Sequence, residues 1–420
     1  MKFFATTISL LTAVSMAAAQ DGNTYISYEN IRYVDNPVDS ISQCLNIFVP
    51  DNAKADAPIL LKTYTTDFRS TAPQQPSPAD ETILALQNGI VVCIVGTRGY
   101  NSMCISKYEI ENPKKKKKKK KQPTVETDVE YCGKLPAPLL DLKAAVRYLR
   151  ANDSTIAGSS EKIIATGYMA GGGLAVLLGS TANNPIYDDA LKQMGAADVS
   201  DKILGVACFA PLTNPLDAAT SGEWLMEGKG DYPNLLKSLT LLVPETEAPL
   251  NGSTYRHYLK NTVYDSAREA MEHGVQISDE MGPEYYSDSC DPDDIAEYMV
   301  DLNLSKYLNI IRQSAYKNGY RQYFTTLATK TFVEKTSKDY ALNINQMSIY
   351  DKISLQNNSL PDKWYIRHGA LDTAVPITET LTLAAMLSNL AIDVDFDVPW
   401  DVKNYNEYNA AKLIEWIKGL

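Results

Sequence analysis

The stretch KIIATGYMAGGGLAVLLGS constrains the fold more than any other part of this chain. Residues 162–168 are apolar and β-branched enough to read as a buried strand. The residues from Ala170 onward form an apolar helical run, closed in this reading by Gly179. Strand therefore passes into helix through one abrupt bend at Met169. A pair of elements coupled that closely belongs to a layered α/β architecture, in which helices cover a mostly parallel sheet.

The remaining segments obey the same grammar. Residues 24–34, 43–49, 57–64 and 89–95 read as strands separated by turn residues, and the alternation of NTYISYENIRY suits an edge strand. Residues 136–152 carry a helical stripe of Leu139, Leu140, Leu142, Val146 and Leu149, with proline near the start. Residues 203–211 read as another buried strand. A strand at 363–369, a helix at 377–391, a strand at 392–400 and a helix at 409–419, stopped by Gly419, end the chain. Between 214 and 350 Tyr, Asp, Glu and Asn dominate, and the clearest helical period spans 294–316, which reads as a helical lid. The expected organisation is a leader at 1–19, core at 20–213, lid at 214–350 and core again at 351–420. No internal repeat is evident.

The leader is expected from Lys2, the apolar run from Phe3 to Met16, and the small residues Ala17–Ala19 before Gln20. Secretion follows, and no other stretch approaches the roughly 20 apolar residues of a membrane span. Six cysteines fit that route: Cys93 and Cys208 sit in apolar strands as buried thiols, and Cys104 and Cys132 are the best pair for a disulfide. Asn152, Asn251, Asn303 and Asn357 stand in glycosylation sequons. The formal charge of −11 disfavours nucleic acid as a partner, despite the run Lys114 to Lys121, which reads as a solvated loop tip.

The bend itself has a chemical pattern. In G-x-S-x-G elbows the serine is lifted into the open on strained backbone, and small neighbours let strand and helix approach. Gly167 and Gly171 meet that need, but the apex is Met169, whose thioether has no proton to lose and cannot form an acyl-enzyme. With CLNIFVP (44–50), LPAPLLDLKAAVRYLR (135–150), GYMAGGGLAVLLG (167–179), MGAADVSDKILGVACFAPLTN (194–214) and WYIRHGALD (364–372), the chain resembles secreted subtype B tannases and feruloyl esterases. The resemblance implies an α/β-hydrolase fold: a mostly parallel central sheet flanked by helices, with a lid insertion. It covers the core from about residue 40 onward and the lid only loosely.

The resemblance also implies where a Ser-Asp-His triad would stand. Asp372 matches the acid. The base position, four residues after Trp400 and followed by Tyr408, is Asn404. The three histidines, His257, His273 and His368, all precede Asp372, so no shift of register restores the family's order. His368 is expected to fix its loop beside the acid, and with Trp400 it is a candidate cleft residue. Thr66 and Asp67 replace the glycine pair of the oxyanion loop, and Ala374 stands where tannases carry a second aspartate. No zinc, phosphate-loop or dinucleotide motif is present, and 287–298 lacks the calcium-loop glycine, so no cofactor or metal is expected.

The preferred expectation is thus a secreted, inactive esterase homologue that binds a small aromatic or carbohydrate-linked ester. Two other classes stay open: an active carboxylesterase with a displaced nucleophile, and a structural extracellular module. Oligomeric state is not legible.

Overall fold

The computed structural model describes residues 14–18, 24–65, 67–99, 101–103, 132–133, 136–213, 241–244, 246–273, 360–370, 372, 374–375, 377–400, 402 and 404–420. The described strands are β1 (Val14–Ala18), β2 (Thr24–Arg32), β3 (Cys44–Pro50), β4 (Ile59–Lys62), β5 (Val91–Val95), β6 (Ile163–Tyr168), β7 (Gly205–Phe209), β8 (Lys363–Arg367) and β9 (Asp393–Asp397). They form a nine-stranded sheet in the order β1-β2-β3-β5-β4-β6-β7-β8-β9. The first four positions pair antiparallel, and every pairing from β5 to β9 is parallel. The sheet of the α/β-hydrolase fold is therefore present.

Helices cover both faces. They are α1 (Glu81–Gln87), α2 (Ala137–Ala151), α3 (Ala170–Ser180), α4 (Asp188–Met194), α5 (Gly252–Glu272), α6 (Ile377–Asn389) and α7 (Ala410–Lys418). One face holds the larger core, in which Leu61, Ala165 and Cys208 of the strands meet Val146 of α2, Leu174 of α3 and Leu381 of α6. The other face is smaller: Leu60, Ile164 and Ala207 pack with Leu86 of α1 and Leu413 of α7. Adjacent residues of β4, β6 and β7 thus serve opposite cores, as alternation along a strand requires. The inner strands are buried throughout, which is why they read as continuous apolar runs.

Several sequence expectations shift. Helix α3 continues through Gly179 to Ser180, because a Cβ at Gly179 would lie 2.8 Å from Val206 and the glycine serves contact with β7 rather than termination. Val14–Ala18, inside the expected leader, pairs along β2 as an edge strand. Helix α5 lies within the expected lid, whereas the 294–316 period and the lysine run lie outside the described residues. No helix among the described residues is long and apolar enough to cross a membrane.

Candidate active site

Strand β6 ends at Tyr168 and α3 begins at Ala170, which leaves Met169 alone to make the turn. Its backbone adopts φ 50° and ψ −118°, in the positive-φ region that costs a side-chain-bearing residue about 1–3 kcal/mol. Packing enforces the bend. A Cβ at Gly167 would lie 2.4 Å from the carbonyl carbon of Gly171, and one at Gly173 would lie 2.1 Å from the Leu212 oxygen. Hydrogen bonds pin it to the exits of neighbouring strands: Met169 N–H donates to Phe209 O at 3.2 Å, Gly171 N–H to Thr65 O at 2.8 Å, and Leu212 N–H to Met169 O at 2.9 Å. The geometry is that of a nucleophile elbow, with a half-buried thioether at its apex.

Asp372 lies beyond the end of β8 and is fully buried. Its carboxylate accepts the Tyr168 hydroxyl at 3.3 Å on Oδ1 and 3.1 Å on Oδ2, the Tyr408 hydroxyl at 3.3 Å on Oδ2, and the Ala374 N–H at 3.0 Å on Oδ1. Tyr408 in turn accepts the Gly369 N–H at 2.6 Å. Burial, and then the charge of Asp372, hold the Tyr408 phenol well above its ordinary pKa, so it stays a protonated donor. Tyr168 is wedged as well as bonded. Its ring stacks on Tyr405 with centroids 5.2 Å apart and planes at 26°.

Tyr405 is anchored from below. Its hydroxyl contacts both Lys62 Nζ and Glu81 Oε2. Lys62, at the end of β4, reaches Glu81 Oε1 at 2.7 Å and Asp80 Oδ2 at 3.5 Å, and Tyr64 donates to Asp80 at 2.6 Å. Burial followed by the Glu81 charge raises the Tyr405 phenol well above its usual value. Tyr405 and Tyr408 line a recess of about 90 Å³ together with Asp80, Glu81, Phe209 and Asn406.

The expected base position is spent on local structure. Asn404 is exposed and caps the short turn Tyr405–Glu407, accepting the Asn406 N–H at 3.2 Å. His368 does not line a cleft. It is fully buried, with Nδ1 2.8 Å from Thr380 Oγ1 and Nε2 3.3 Å from the Asp372 carbonyl, and burial lowers its pKa to about 4. Trp400, also expected at the cleft, packs in the larger core. His257 on α5 and His273 just past its end are exposed, bonded at 3.3 Å to Asn261 and at 2.7 Å to the Glu269 carbonyl.

Other expectations fare unevenly. Asp67 turns to solvent and pairs with Arg69 at 3.0 Å, so its charge is partly met; Thr66 lies outside the described residues. Asn152 is a poor glycan acceptor, because it is buried and its Nδ2 donates to the Tyr148 carbonyl at 2.8 Å. Asn251 is exposed, whereas Asn303 and Asn357 lie outside the described residues. Cys132 is described and Cys104 is not, which leaves that expected disulfide outside the described residues too. Cys44, Cys93 and Cys208 are free buried thiols. Among the described residues no group of three or more His, Cys, Asp or Glu is arranged to hold a metal.

Sequence reading missed Tyr168 as the partner of the acid and missed the Lys62–Glu81–Tyr405 anchor. One signal for the anchor was available: a lysine inside the apolar strand ILLK needs a buried counter-charge.

Known proteins share this arrangement of elements. The BD-FAE family model, an α/β-hydrolase-type esterase domain, matches residues 115–232, which include the elbow. No curated protein sequence matches the chain. A Fusobacterium nucleatum tannase is 22% identical with TM-score 0.70, covering 97% of each chain. Tannin acyl hydrolase from Lactobacillus plantarum is 22% identical with TM-score 0.72, covering 97% of this chain and 96% of the other. A tannin acyl hydrolase solved with ethyl gallate is 22% identical with TM-score 0.67 over 97% and 96%. At such identity the likeness establishes the fold.

Proposed function

We propose that this protein, an α/β-hydrolase-fold chain of tannase-like architecture, is a secreted esterase homologue that binds an ester without cleaving it. The observation that carries the reading is Met169 at the apex of an intact elbow. Ester hydrolysis on this scaffold needs a group there that can be deprotonated and acylated, and a thioether is neither. Asn404 supports the same reading, since a carboxamide does not shuttle protons at neutral pH. Loss of nucleophile and base together removes on the order of 10⁶ in turnover from a triad enzyme.

The ligand class follows from the relatives. Tannin acyl hydrolases have been solved with ethyl gallate and with 3,4-dihydroxybenzoate, which makes a small aromatic or carbohydrate-linked ester the first class to test. The division into a leader at 1–19 and a lid at 214–350, of which helix α5 is described, is part of the same reading, although Val14–Ala18 pairs with β2 here.

The test is direct. Purified protein is assayed with p-nitrophenyl acetate and methyl ferulate and exposed to a fluorophosphonate probe, while ethyl gallate binding is followed by calorimetry. Background turnover, no labelling and saturable binding are expected. Saturable labelling of any side chain overturns the inactive reading, and the absence of binding overturns the ligand class.

A further inference from the structure

Asp372 keeps its place although the groups it would serve are gone, and its hydrogen bonds explain what now holds it. An ionised carboxylate offers about four lone-pair sites. Here three donors share the two oxygens: the single Tyr168 O–H, which lies 3.3 and 3.1 Å from them, the Tyr408 O–H at 3.3 Å and the Ala374 N–H at 3.0 Å. A base that works with this acid must donate its ring N–H to one of those oxygens. The seat is taken.

Tyr168 is also the residue immediately before the apex, so its ring leaves the elbow on the side of the acid. It cannot swing away freely. Tyr405 lies against its face, and Tyr405 is held through its hydroxyl by the buried Lys62–Glu81 pair. Four elements thus meet at the Tyr168–Tyr405 stack: the end of β6 supplies Tyr168, the turn capped by Asn404 supplies Tyr405, and the end of β4 and the first turn of α1 hold the Tyr405 hydroxyl.

From this arrangement we infer that Tyr168 is a built-in plug of the acid site: its phenol occupies the seat of an imidazole on Asp372, so that restoring nucleophile and base alone does not restore the triad. The inference rests on the reading of this site as a silenced esterase site and adds a third lesion to the two visible at Met169 and Asn404. Tyr168 acts here as an occluding residue, not a catalytic one.

The experiment reports on the acid directly and does not require turnover. Asn404→His is made alone and with Tyr168→Thr, and the new imidazole is followed by proton NMR against the parent chain. In Asn404→His it is expected to titrate as an ordinary exposed histidine, with no low-field ring N–H proton. Adding Tyr168→Thr is expected to raise its pKa by about one unit, the tenfold preference for imidazolium that a newly acquired carboxylate gives, and to bring a low-field proton into view. Identical titration in the two variants overturns the inference, as does a low-field proton already present with Tyr168 in place. If Tyr168→Thr does not fold, Tyr168→Ala replaces it with the same readout. As a second measure, fluorophosphonate labelling of Met169→Ser/Asn404→His is expected to quicken at least tenfold when Tyr168→Thr is added, and equal rates count against the plug. The parent chain's ester turnover decides the inactive reading separately.

Discussion

The ammonium of Lys62 and the carboxylate of Glu81 meet at 2.7 Å with side chains only 2% and 4% exposed, which makes them one buried unit. Breaking such a unit from one side strands a charge and costs about 3–5 kcal/mol, whereas replacing both sides is often near neutral. Lys62→Met is therefore expected to lose about that much in urea denaturation. Lys62→Met with Glu81→Leu is expected to recover only part of the loss, because Asp80, 3.5 Å from the same ammonium and equally buried, is still left without its cation. A single variant as stable as the parent would contradict the buried pairing.

The positive φ at Met169 has a cost that can be isolated by comparing two small substitutions. Both Met169→Gly and Met169→Ala remove the thioether, but only glycine relaxes the backbone. Met169→Gly is expected to be the more stable by about 1 kcal/mol, against the usual order in which alanine wins. Chemical denaturation of the pair checks the sign.

His368 sets a pH dependence. Its folded pKa of about 4 lies below the ordinary 6.5, so the unfolded chain binds this proton first as pH falls. Its neutral form contributes stability in full above pH 6.5, and that contribution is lost as pH falls from 6.5 to 4, by about 3 kcal/mol in total. His368→Asn is expected to flatten the stability profile across that window.

Glycan occupancy separates two sequons. Expressed through a eukaryotic secretory route, Asn251 is expected to carry glycan and Asn152 to stay bare, because Asn152 is buried and bonded back to its own helix while Asn251 is exposed. Glycopeptide mass spectrometry reads both positions, and occupancy at Asn152 would contradict its burial.

The fold was legible because its signals are local. Fully buried parallel strands such as VVCIV and GVACF leave continuous apolar runs, and the striped helix at 136–152 appears one residue shorter at each end, as Ala137–Ala151. The elbow was legible for the same reason, since Gly167, Met169 and Gly171 are adjacent in the chain. The surroundings of Asp372 were not. Tyr168 and Asp372 are 204 positions apart and Tyr405 and Glu81 are 324, so only the assembled sheet brings them together. His368 could be assigned to its loop from sequence, but its burial depends on α6 supplying Thr380. The short helix α1 went unread because ETILALQ spans barely two turns, too few for a period to show.

The bend at 169 is held by carbonyls and amides of residues 65, 209 and 212 and by the bareness of Gly167 and Gly173; the apical side chain takes no part in those contacts. Reagent and scaffold are therefore separable in this protein. The position can be reassigned one residue at a time, toward a hydroxyl, a thiol or an inert group, while the frame that presents it stays the same shape.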